Sequence, residues 1–118
     1  TLQVLQEEGL MQNAADVGAY AKAGLQQLAR RHSVIGDVRG AGLFFGAEMV
    51  LDRVSKLPAR NYVKAVANEM RRRGVLINFL GIAYNTLKIR PPMVFSHANA
   101  DQLLETLDAV LTDLPVTA

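Results

Sequence analysis

Lys88 and Arg90, in the stretch Leu87-Lys88-Ile89-Arg90-Pro91-Pro92-Met93, are the side chains whose types and spacing best suit chemistry. In a strand the side chains alternate, so these two cations share one side while Leu87 and Ile89 point the other way, into a core. Pro91 and Pro92 end the strand, because neither can donate to a ladder and each fixes its own φ. Two cations side by side at a strand end suit an anion such as a carboxylate or phosphate. The same pair also fits an exposed strand face carrying solvated charge, and spacing alone leaves both readings open.

Other residues promise less. Arg39-Gly40-Ala41-Gly42 reads as a tight connection or bulge between strands, since the helix that must follow a phosphate loop is missing. Arg39 itself reads as a structural bridge between carboxylates rather than a substrate contact. Asp37 and Glu48 stand too isolated for an acid/base pair. Phe44-Phe45 reads as core or domain interface, and Tyr84 as a loop aromatic able to line a site. His32 and His97 lie far apart at segment edges, so no metal is expected. There is no cysteine, which excludes disulfides and thiolate chemistry.

Composition sets the frame for these residues. A chain of 118 residues, 50% hydrophobic and 20% charged, is ordinary for one globular domain with a real core. Thirteen basic against eleven acidic residues leave a net charge of +2, which argues against a nucleic-acid partner. Arg71-Arg72-Arg73 closes a helix, where cations complement the dipole without any ligand. No apolar run is long enough for a bilayer and no signal peptide opens the chain, so no membrane partner and a cytoplasmic setting are expected. Thr1 enters almost directly into a helical pattern, as a piece of a longer protein would.

The elements that must position the candidates follow from hydrophobic period. Leu2 to about Arg31 has helical spacing, with an irregularity expected near Gly9 and with Gly18 and Gly24 suited to close backbone approach. Val34 to Val50 reads as two strands punctuated by glycine. A loop from Asp52 leads to Pro58, placed in the first turn of an amphipathic helix with the stripe Tyr62, Val66, Ala67 and Met70. Gly74 suits a left-handed C-cap. Val75-Leu76-Ile77 reads as a short buried strand, Asn78 to Asn85 as a loop, and Thr86 to Arg90 as its neighbouring strand. Ser96 to Asp101 carries helix-start chemistry for a last helix bearing Leu103, Leu104, Leu107, Val110 and Leu111. The expected fold is α+β: a small antiparallel sheet of three to four strands covered by helices.

Three blocks together resemble the class III aminotransferases, pyridoxal-phosphate enzymes of fold type I. Ile35-Gly36-Asp37-Val38-Arg39-Gly40-Ala41-Gly42-Leu43-Phe44-Phe45-Gly46-Ala47-Glu48 is similar to their V-R-G-x-G-L-x-x-G-x-E segment. Arg73-Gly74-Val75-Leu76-Ile77 is similar to their x-x-G-V-L strand, and the Lys88–Arg90 block to their C-terminal R-x-x-P-P-L segment. The order and spacings agree over nearly the whole chain. The resemblance implies that residues 1–118 are the C-terminal small domain, as in fold type I enzymes. Pyridoxal phosphate and the catalytic lysine would then belong to a missing N-terminal large domain. None of Lys22, Lys56, Lys64 or Lys88 sits in that lysine motif, so no catalytic and no cofactor-binding residue is assigned here.

By the same resemblance the full enzyme is a homodimer that transfers an amino group from a small-molecule amine or amino acid to a 2-oxo acid. Lys88 and Arg90 are the implied substrate-binding residues. Lys88 stands where several members carry the carboxylate-binding arginine, and Arg90 where those members often have a small residue. The run Lys-Ile-Arg-Pro-Pro-Met also resembles the branch with phospho-lyases of amino-alcohol phosphates. A lyase, or a non-catalytic interaction domain, is the alternative.

Overall fold

The computed structural model describes residues 2–74, 80–91 and 95–116. Helix α1 (Leu2–Arg31) leads into strands β1 (Ile35–Ala41) and β2 (Phe44–Met49), and helix α2 (Arg60–Arg72) follows. Strands β3 (Leu80–Ala83) and β4 (Thr86–Ile89) and helix α3 (His97–Asp113) complete the order. The four strands form one antiparallel sheet in the order β1-β2-β4-β3. The α+β architecture expected from the sequence is the observed one.

Helix α1 runs unbroken through Gly9, where an irregularity was expected. It buries Val17, Ala21, Leu25 and Leu28, a stripe at helical spacing. The close backbone approach expected of its glycines is present at Gly18, whereas Gly24 meets a side chain. A Cβ at Gly18 would stand 2.1 Å from the Gly42 carbonyl oxygen, and one at Gly24 would meet the Leu104 side chain at 2.3 Å. Gly42 makes the β1–β2 turn, with φ +56 at the first position of a two-residue loop; glycine meets that requirement without steric cost.

Pro58 lies outside the helix in which the sequence places it. It forms a β-bridge with Val50, and α2 begins two residues later with Ala59 as its N-cap. The loop before it is tied by Asp52, whose carboxylate accepts the Val54 and Ser55 N–H groups. Helix α2 buries Tyr62, Val63, Val66, Ala67 and Met70 and ends at Gly74, which takes φ +101 just beyond the C-cap Arg73. Helix α3 starts on a capping box, with Ser96 accepting the Asn99 N–H while the Asn99 side chain accepts that of Ser96.

A larger correction concerns the segment read as a loop from Asn78 to Asn85. Leu80–Ala83 is a strand, paired with β4 through Leu80↔Ile89 and Ala83↔Thr86. The strand read at Val75-Leu76-Ile77 lies outside the described residues. The hairpin turns on Tyr84 and Asn85, with Tyr84 at φ +60. Asn85 is buried yet satisfied: its side chain donates to the Met49 carbonyl at 2.8 Å, and its own carbonyl accepts the Met49 N–H. That pair of bonds pins the tip of the β3–β4 hairpin to the end of β2.

All three helices share one core with one face of the sheet. Phe45, Ala47 and Met49 of β2 and Leu87 and Ile89 of β4 are buried among Leu25, Tyr62, Val66 and Leu107. Their alternate neighbours Phe44, Glu48, Thr86 and Lys88 occupy the opposite face, which none of the three helices among the described residues covers. Among the described residues no helix is long and apolar enough to cross a membrane.

The arginine run closing α2 does more than complement a dipole. Arg72 and Arg73 both pair with Glu69, and Arg73 reaches Asp113 of α3 at 2.8 Å. The Arg72 hydrogen bond, followed by that of Arg73, holds the Glu69 carboxyl at about 2 against an ordinary 4.5. A depressed carboxyl stabilises the fold fully above its unfolded value and loses that effect as pH falls. Glu69→Gln should therefore melt below wild type at pH 7, with the gap closing between pH 4.5 and 2. A gap that stays constant across that window, measured by thermal melts, would show that the pairing contributes nothing.

Candidate anion site on the open sheet face

Strand β4 presents Lys88 on the open face between two glycines, Gly46 of β2 and Gly81 of β3. With no side chain on either neighbour, the Lys88 stem is free to lean along the sheet. Its ammonium lies 5.7 Å from the ring centroid of Phe44. The Arg90 guanidinium, one step beyond the strand, lies 4.7 Å from the same centroid. Both distances are within cation–π range. Lys88 and Arg90, read from the sequence as sharing one side, thus converge on one aromatic ring.

Arg39 stands on the same face but is already engaged. Its Nε donates to Asp37 at 2.6 Å and its other end reaches Glu48 at 3.7 Å. The Arg39 hydrogen bond holds the Asp37 carboxyl below its usual range. Asp37 and Glu48 are direct partners in the β1–β2 register, so the arginine bridges two neighbouring carboxylates, as its sequence context suggested. Among the described residues neither Lys88 nor Arg90 has such a carboxylate. The face therefore carries two cations whose charge no described side chain neutralises, beside a depression of about 230 Å³ lined by Phe44, Glu48, Thr86 and Lys88.

The sequence reads Phe44-Phe45 as core or domain interface, and the structure divides the pair: Phe45 is fully buried while Phe44 is 39% exposed. Strand alternation carries that signal, because adjacent residues cannot both face the core. Tyr84 is exposed as expected, and its ring holds the Arg60 guanidinium at 4.8 Å rather than lining the depression. The two histidines stay apart in role. His32 bonds Asp108 at 2.6 Å, linking the end of α1 to α3, and His97 meets the Tyr20 ring edge-on. Among the described residues no cluster suits a metal ion.

The family described as Aminotransferase class-III matches residues 1–111. This chain belongs to the class III aminotransferases. It is 45% identical to the taurine–pyruvate aminotransferase of Rhodobacter capsulatus over 97% of its own length and 26% of that protein's. A phospholyase from Arthrobacter in complex with phosphoethanolamine superposes with a TM-score of 0.86 and 38% identity, over 97% of this chain and 27% of that one. An amine transaminase from an uncultivated Pseudomonas species, in its PLP-bound form, superposes at 0.82 with 32% identity, over 94% and 25% of the two chains. The chain thus spans about a quarter of the length of these relatives.

The cofactor of that Pseudomonas transaminase sets a test for these residues. Holding pyridoxal phosphate requires an enclosing cleft, and clefts that bury a small molecule run to about 300–1,000 Å³. Among the described residues Lys88 lines a depression of about 230 Å³, where Glu48 is engaged by Arg39. Lys22 donates to the Gly40 carbonyl, while Lys56 and Lys64 are exposed. The residues present do not by themselves fit the cofactor. What this class III aminotransferase segment does offer is two cations gathered on one aromatic ring.

Proposed function

We propose that residues 1–118 form the C-terminal small domain of a pyridoxal-phosphate-dependent aminotransferase that moves an amino group from an amine or amino acid to a 2-oxo acid. The observation that carries this reading is the pair of uncompensated cations, Lys88 and Arg90, on the uncovered sheet face of a class III aminotransferase segment. In the full enzyme, a cytoplasmic homodimer, a large N-terminal domain would hold the cofactor, which when bound would supply an electron sink. Lys88 and Arg90 bind the anionic end of the substrate and so orient its amine. Lysine does so as a point charge and arginine through its planar fork.

A second reading has its own support. Two cations also suit a phosphate, and the Arthrobacter neighbour is a phospholyase seen with phosphoethanolamine. In that case the enzyme eliminates phosphate from an amino-alcohol phosphate. One experiment separates the two: full-length protein supplied with pyridoxal phosphate and a panel of amine donors, followed by cofactor absorbance and product analysis. Donor turnover that requires a 2-oxo acid is the expected result. Phosphate release without an oxo acid favours the lyase, and no turnover of any donor overturns both. The 118-residue chain mixed alone with the cofactor should develop no internal-aldimine absorption band, because covalent capture needs the family's lysine motif, in which none of Lys22, Lys56, Lys64 and Lys88 sits.

A further inference from the structure

We infer that Phe44 is the positioning residue of the anion site, gathering Lys88 and Arg90 onto one point of the open face before a substrate arrives. The inference rests on the anion-anchoring reading above and adds a residue with no charge and no hydrogen-bonding group. Its basis is geometric. Phe44 leaves 39% of its surface exposed next to the fully buried Phe45, and its ring is the common neighbour of both cations, at 5.7 and 4.7 Å. The glycines flanking Lys88 offer its stem no lateral support.

Two like charges on long side chains repel and drift apart into solvent unless something holds them. The negative face of an aromatic ring attracts both at once. Side chains ordered in advance do not have to be ordered by the ligand, so the ring strengthens anion binding without touching the anion. An aliphatic residue of similar bulk would keep the apolar surface of Phe44 but lose this effect, whereas tyrosine would keep it.

The test uses the full-length enzyme with Phe44→Leu and Phe44→Tyr. One readout is the ratio of kcat/KM for an anionic donor to that for an uncharged amine of the same length. The second is competitive inhibition by inorganic phosphate. Phe44→Leu should lower the ratio and weaken phosphate binding by about tenfold each, and Phe44→Tyr should restore both. Equal losses for charged and uncharged donors would mean that Phe44 only packs, and the inference falls. If Lys88→Met and Arg90→Met impair anionic donors while Phe44→Leu does not, positioning is refuted and anchoring stands. If the lysine and arginine variants are themselves silent, the anchoring reading fails and takes this inference with it.

Discussion

Replacing Lys88 and Arg90 together with methionine in the full-length enzyme is expected to raise KM for anionic amine donors by about thirtyfold or more. Losing a charge-assisted contact in a pocket costs roughly 2–5 kcal/mol, much of it from the partner left unpaired, and each 1.4 kcal/mol is about tenfold. Methionine keeps an unbranched apolar stem, so the substitution removes charge with little change in bulk. The loss belongs in KM rather than kcat, because the two cations hold the far end of the substrate and not the reacting atoms. Each single variant should show part of the effect, since both cations sit on the same ring. Steady-state kinetics with anionic and uncharged donors decide the matter. Unchanged constants for anionic donors in the double variant would mean that this strand face merely carries solvated charge.

Gly18→Ala should destabilise the chain by about 2 kcal/mol or more, within the range for forcing extra atoms into packed structure. The added Cβ would lie 2.1 Å from the Gly42 carbonyl oxygen and 2.6 Å from its carbon, both backbone atoms. Neither side can yield cheaply. Val17 and Ala21 anchor that stretch of α1 in the core, and Gly42 is fixed in its turn at φ +56. The loss outweighs the roughly 1 kcal/mol that alanine gains over glycine inside a helix. Gly9→Ala is the internal control, because a Cβ there meets nothing within 4 Å. It should be neutral or stabilising by up to about 1 kcal/mol. Thermal melts should therefore show Gly18→Ala melting below wild type and Gly9→Ala melting at or above it. Equal stability of Gly18→Ala and wild type would mean that α1 and the β1–β2 turn can separate at no cost.

Several features of the candidate site were legible in sequence because they depend only on local period. Leu87 and Ile89 face the core and Lys88 and Arg90 face away for the same reason that any strand alternates. Gly74 ends α2 in the left-handed region, and Ser96 caps α3, through chemistry carried within a few residues. Strand β3 escaped that reading. Leu80-Gly81-Ile82-Ala83 contains glycine and alanine, which favour strands poorly, and as an edge strand it pairs with β4 alone. Its turn offered no Asn-Gly signal either, since Tyr84 takes the positive φ usually left to glycine or asparagine.

The sequence by itself determined the order of the helices and of the first hairpin, the family resemblance, and the common side of Lys88 and Arg90. Short-range periods, caps and turns are written in consecutive residues. Only the tertiary structure decided what those cations meet. Sheet register sets Gly46 and Gly81 on either side of Lys88 and makes Asp37 and Glu48 partners that Arg39 can bridge. Packing brings Gly42 against Gly18, and placing β2 beside β4 brings Phe44 under two cations. Such contacts join residues distant along the chain. They follow from which strands pair and in what register, which the burial of one whole face settles and no single segment encodes.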